Sequence, residues 1–159
     1  MSASFELDLV DRFVVGAVGQ PGSRTFFFQL ASGDTVLTFK CEKLQVAALA
    51  EAVRKLLVDL PAGSESAVSG DLVPPILAEW TVGSIGIGYE PELDRVVVVL
   101  EELVAEGDDD GGRVRFFLSR LQAEAFSGRS VDIIGGGRPT CPLCATPIDP
   151  DGFNCPCYN

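Results

Sequence analysis

The residues best equipped for chemistry are four cysteines near the C-terminus: Cys141, Cys144, Cys155 and Cys157. Zn²⁺ takes four ligands at tetrahedral angles, and thiolates at about 2.3 Å suit it. The pair Cys141-Pro142-Leu143-Cys144 lets two sulfurs converge on one ion from a tight turn. The loop Ala145–Asn154 then returns Cys155 and Cys157 as a second pair. Pro147, Pro150 and Gly152 turn that loop without regular structure. A segment this short has no apolar core, so the metal would fold it. Four thiolates leave no open position for water, so the expected zinc is structural rather than catalytic.

Other readings of the same cysteines stay open. A disulfide framework is possible in principle, but cytosolic chains rarely keep disulfides. A redox Cys-x-x-Cys needs its first thiol at a helix N-terminus. Here Ala145-Thr146-Pro147-Ile148-Asp149-Pro150 follows, and its prolines oppose a regular helix. An iron–sulfur cluster would also accept four cysteines. Zinc is favoured over each.

Charge and composition narrow the partners. The 159-residue chain carries 23 acidic and 12 basic residues, a net charge of −11, and no basic residue follows Arg138. Nucleic-acid affinity comes mainly from Lys and Arg meeting phosphates, so nucleic acid is not expected as a partner. The absence of histidine removes Ser-His-Asp and Cys-His catalysis, and it accounts for a fourth cysteine as ligand. No stretch approaches the roughly 20 apolar residues of a membrane span. The acidic, alternating opening Met1–Asp8 is unlike a secretory signal, so the expectation is a cytoplasmic protein with no membrane contact.

Residues upstream of the cysteines must form the body. Phe5–Leu9 alternates apolar and polar residues, as a half-buried strand does. Arg12–Val18, Arg24–Ala31 and Thr35–Cys41 follow as strands, divided by Gly19-Gln20-Pro21-Gly22 and Ser32-Gly33-Asp34. From Glu42 to Leu60 the period changes. Leu49, Val53, Leu56, Leu57 and Leu60 share one face, with Glu51, Arg54, Lys55 and Asp59 opposite, the pattern of an amphipathic helix. Residues 61–75 read as a linker.

The second half replays this order: strands over Trp80–Tyr89, Asp94–Val104 and Arg113–Leu118, then a helix from Ser119 toward Ile134. Ser119 and Gln122 fit a capping box. Gly128 weakens that helix by about 1 kcal/mol relative to Ala and could end it early. Across the halves Phe39 matches Phe116, Lys43 matches Arg120, Leu44 matches Leu121, Gln45 matches Gln122, Ala48 matches Ala125 and Leu49 matches Phe126. Val14–Val18 is aligned with Thr81–Ile85. The expected fold class is α+β: two βββα repeats, antiparallel sheets plus helices, sharing one core, with a C-terminal zinc knuckle. Residues 1–137 form the duplicated domain (repeats about 5–60 and 78–135) and residues 138–159 the knuckle.

Weaker signals take plainer readings. Gly83-Ser84-Ile85-Gly86-Ile87-Gly88 is followed by Tyr89-Glu90-Pro91 and not by a helix, so its glycines suit a strand better than a phosphate loop. Cys41 and Trp80 suit the core, and Asp108-Asp109-Asp110 a solvated turn.

Several stretches resemble a known family. Asp11–Gly16, Gly22–Phe27, Glu42–Leu49 and Gly137–Cys144 are similar to an actinobacterial family, the domain of unknown function 3090, along nearly the full chain. The resemblance implies no activity. It implies a His and a Cys as the second metal-ligand pair. In this chain Phe153 stands where the His would fall, and Cys155 and Cys157 take over.

The favoured function is a non-catalytic, zinc-containing module whose knuckle and helical faces contact a protein partner. The alternative is a binder of a small anionic ligand, or an enzyme, with a pocket between the repeats where Arg12, Arg24, Lys43, Arg115 and Arg120 could converge.

Overall fold

The structure is a computed structural model, and it describes residues 2–58, 70–108 and 110–135. Among the described residues, seven strands and two helices occur in the order β1 (Phe5–Leu9), β2 (Arg12–Val18), β3 (Thr25–Ser32), β4 (Thr35–Cys41), α1 (Lys43–Val58), β5 (Val82–Glu90), β6 (Arg95–Glu102), β7 (Arg113–Leu118) and α2 (Arg120–Gly135). The class is α+β.

The strands form two sheets, β2-β3-β4 and β1-β7-β6-β5. Each contains an antiparallel three-stranded meander, and β1 adds to β7 in parallel. The two meanders have corresponding registers. Val15 pairs with Phe28 and Phe28 with Phe39, while Ile87 pairs with Val98 and Val98 with Phe116. The first ladder closes on Val18 and Thr25, and its counterpart on Glu90 and Arg95.

Both seams between the sheets are stitched by backbone. At one, the chain passes from β1 into β2. There Val10 N donates to Phe117 O at 3.1 Å and Asp11 N to Ala31 O at 2.9 Å. At the other, Lys40 N donates to Trp80 O at 3.1 Å, Glu79 N donates to Thr38 O at 2.8 Å, and Lys40 bridges Thr81 in parallel. Trp80 therefore serves β4 and the core rather than opening β5.

Strand alternation sends Phe13, Phe28, Phe39, Val98 and Phe116 into one core, and the helices close it. Phe126 of α2 stacks on Phe13 at 4.6 Å between ring centres, and Phe13 contacts Phe116 at 4.9 Å. Alpha-1 buries Val46, Leu49, Ala50 and Val53, the three- and four-residue steps of one helical face. Alpha-2 runs unbroken through Gly128, so the favourable packing of Ala123 and Phe126 outweighs the cost of that glycine. The helices touch where Ser127 Oγ donates to Ala50 O at 3.2 Å.

The outer face of β2-β3-β4 is covered by residues 70–73. Gln29 Nε2 donates to Val73 O at 2.9 Å, and Val73 N donates to Gln29 Oε1 at 2.7 Å. Gln29 Nε2 also donates to Thr38 Oγ1 at 3.1 Å, so this buried amide is satisfied. Leu72 presses onto Gly16, where an added Cβ would lie 2.4 Å from Leu72 Cγ. The absent side chain is what admits the covering segment. No described helix is long and apolar enough to cross a membrane.

Candidate functional site

The cysteine segment lies outside the described residues. Cys141, Cys144, Cys155 and Cys157 therefore enter only through their sequence positions. Among the described residues no group of His, Cys, Asp and Glu could hold a metal ion.

The remaining cysteine is placed. Cys41 ends β4 and is 2% exposed. Burial, reinforced by the neighbouring Glu42 charge, pushes its thiol up to about 12. It therefore stays protonated at neutral pH and packs as a small apolar side chain.

The five candidate basic residues do not share one site. Arg12 donates to the carbonyl of Asp71, beside an ion pair between Arg129 and the Asp71 carboxylate. Arg115 lies over the Phe117 ring at 4.8 Å and reaches Glu6 at 3.4 Å. Arg120 makes two 2.7 Å bonds to Asp94, through Nε to Oδ1 and Nη2 to Oδ2. Tyr89 also donates its hydroxyl to Oδ1 of Asp94. The Arg120 bonds first, and the Tyr89 bond second, hold the Asp94 carboxyl below the usual aspartate range. Asp94 sits at φ 53°, a left-handed conformation that aspartate tolerates better than most residues.

Arg24 and Lys43 do come together. The turn before β3, the end of β4 and the start of α1 frame a cleft of about 420 Å³, lined by Arg24, Thr25, Lys40, Glu42 and Lys43 among others. Arg24 donates to Ile133 O at 2.9 Å and lies 4.9 Å from the centre of the Phe26 ring. Lys40 was not among the sequence candidates. Strand alternation after Phe39 turns it outward, but only the register beside Phe27 and the turn geometry bring it to this cleft.

Each helix start is secured by a glutamine. Gln122 N donates to Ser119 Oγ at 3.1 Å, while Ser119 N donates to Gln122 Oε1 at 2.8 Å. This is the capping box expected from the sequence. At α1, Glu42 N donates to Gln45 Oε1 at 2.8 Å.

A family model described as "Protein of unknown function (DUF3090)" matches residues 5–155. The chain belongs to this family. No curated protein and no solved structure matches it. The DUF3090 match takes in all nine elements and includes Cys141, Cys144 and Cys155, but stops before Cys157.

Proposed function

We propose that this DUF3090 chain is a non-catalytic binding module, built from two βββα repeats and finished by a structural zinc clip. The repeats are β2-β3-β4-α1 and β5-β6-β7-α2. Their corresponding ladder registers and the two glutamine-bonded helix starts support a duplication about a pseudo-twofold. The registers match Val82 with Val10, shifted from the Val14–Thr81 alignment suggested by residue type. Neither repeat covers its own apolar face, since Phe13, Phe28, Phe116 and Phe126 interlock across the two.

The observation that carries the binding reading is how the titratable groups are held. The carboxyls of Asp94, Glu102 and Glu51 are drawn below their ordinary range, by Arg120, by Ser2 and the Gly112 N–H, and by Arg54 respectively. A general acid near neutral pH needs a carboxyl shifted the other way. Cys41, shifted upward, is no nucleophile. These groups are engaged by neighbours within the chain, which supports the non-catalytic reading.

Cys141, Cys144, Cys155 and Cys157 then clip the tail around one Zn²⁺, closed to substrate. The clip and the helical faces, where Leu44 is 83% exposed, are the surfaces offered to a protein partner. Native mass spectrometry of the full chain, expressed in a zinc-replete cytosol, tests the clip. One zinc per chain is expected, lost on Cys144→Ser. A full chain that carries no zinc, or an iron–sulfur cluster instead, would refute it.

A further inference from the structure

The corner beside α1 that holds the cleft corresponds by register to a corner of the second repeat, and the two carry different charges. The ladder ends Val18–Thr25 and Glu90–Arg95 set Arg24 opposite Asp94 in the comparison. The pairs Phe26–Cys41 and Val96–Leu118 likewise set Lys43 opposite Arg120. In the second repeat the chain seats its own oxyanion at this corner. The Asp94 carboxylate takes both Arg120 bonds and the Tyr89 hydroxyl at the first turn of α2.

In the first repeat the carboxylate position is occupied by a cation. Arg24 stands there, facing a cleft that Lys40 and Lys43 also line. Among the described residues neither lysine has an ion-pair partner. Glu42 is the one acidic residue in the lining, against three basic ones, and this leaves a local excess of positive charge in a chain of net charge −11. The corner that holds an internal oxyanion in one repeat is thus kept basic and open in the other.

We propose that this cleft binds the phosphoryl group of a small phosphomonoester. A dianion matches three cations better than a single carboxylate does, and α1 adds the partial positive charge of its N-terminus. A volume of about 420 Å³ is in the range of small-ligand sites. Thr25 and Glu42 offer the rest of the ligand hydrogen-bonding groups. The inference goes beyond the protein-partner reading. It rests on the correspondence of the two repeats and not on the zinc clip.

The test is calorimetric titration of the full zinc-loaded chain at low ionic strength with inorganic phosphate, glycerol phosphate and succinate. Saturable binding of phosphate and glycerol phosphate is expected, weakened by about tenfold or more in Lys43→Gln and in Lys40→Gln. Lys43→Arg should retain it, and Lys55→Gln, on the exposed face of α1, should leave it unchanged. Arg24→Asp should abolish it by supplying the carboxylate that the second repeat already has. Amide shifts of Thr25 and Lys43 in the unmodified chain give a readout that needs no variant. Absence of saturable phosphate binding, equal weakening by Lys55→Gln, or tighter binding of succinate overturns the proposal. A zinc-free chain that still binds phosphate would sink the clip alone, and a zinc-loaded chain that binds none would sink the phosphate site alone.

Discussion

Gln45 and Gln122 make the same two kinds of bond at opposite seams of the domain. Each side-chain oxygen accepts the backbone N–H that precedes its helix, from Glu42 and Ser119, both at 2.8 Å. Each side-chain nitrogen then donates to the carbonyl of a residue entering the other meander. Gln45 reaches Val82 O at 3.0 Å and Gln122 reaches Val10 O at 2.7 Å. One amide thereby satisfies an orphan donor of a helix terminus and ties that helix to the neighbouring sheet.

Replacing either glutamine should cost stability by a known mechanism. Gln122→Ala leaves the Ser119 N–H and the part-buried Val10 carbonyl short of a partner, for a loss of about 1–2 kcal/mol. Gln45→Ala should cost a similar amount. The sites share no partner, so the double variant should lose the sum to within about 0.5 kcal/mol. Urea unfolding followed by circular dichroism measures all three. A glutamine-to-glutamate change at either site keeps the cap acceptor and removes the donor, so it should fall between wild type and alanine.

Two glycines should respond to alanine in opposite directions. At Gly16 the new methyl would meet Leu72 at 2.4 Å, so Gly16→Ala should destabilise by about 1–3 kcal/mol. Leu72→Ala in the same chain should recover part of that loss, because the colliding atoms are its side chain. At Gly128 an added Cβ meets nothing within 4 Å inside a regular helix. Gly128→Ala should therefore stabilise by about 0.5–1 kcal/mol. Thermal melts of the three variants decide the signs.

Much of the local structure was legible because its causes are local. The turn residues Gly19–Gly22 and Ser32–Asp34 mark off β2, β3 and β4, and Ser119 with Gln122 carries its own cap chemistry. The parallel pairing of β1 with β7 was not legible, since Phe5 and Val114 meet only through the closed arrangement of sheets. The cleft was half legible. Lys43 and Arg120 match by type, but Arg24 and Asp94 are opposite in charge, and likeness of residue type could not align them. Only strand register does so. The strand expected over Trp80–Tyr89 starts two residues later, at Val82, because the Trp80 carbonyl is claimed by Lys40 of a distant strand.

Asp94 gives a pH signature with a definite sign. Arg120, and then Tyr89, favour its charged form in the folded chain, so its folded pKa lies below the unfolded value of about 3.9. The stabilisation is present above that unfolded value and is lost as pH falls through the lower folded value. Carboxyl-detected NMR titration should place the Asp94 midpoint below those of solvated aspartates. Arg120→Gln should move the midpoint upward. Because the group is exposed, added salt should narrow the difference. An Asp94 midpoint already at the solvated value would mean that the pair does not persist in solution.

Cys41 titrates with the opposite consequence. Its folded thiol is raised to about 12, above an unfolded value near 8.5, so the unfolded chain releases this proton first as pH rises. The contribution is complete below about pH 8.5 and declines between there and the folded value. Cys41→Val should flatten that part of the stability profile, and its isosteric packing should keep the fold. The same burial predicts a thiol count. With a chelator removing the tail's proposed zinc, a thiol reagent at pH 8 should titrate four of the five cysteines in the folded chain. The fifth should appear only in denaturant, and peptide mapping should assign it to Cys41. Labelling of Cys41 at the same rate as the tail cysteines would show that the strand end opens readily, and both the raised pKa and the pH profile would then fail together.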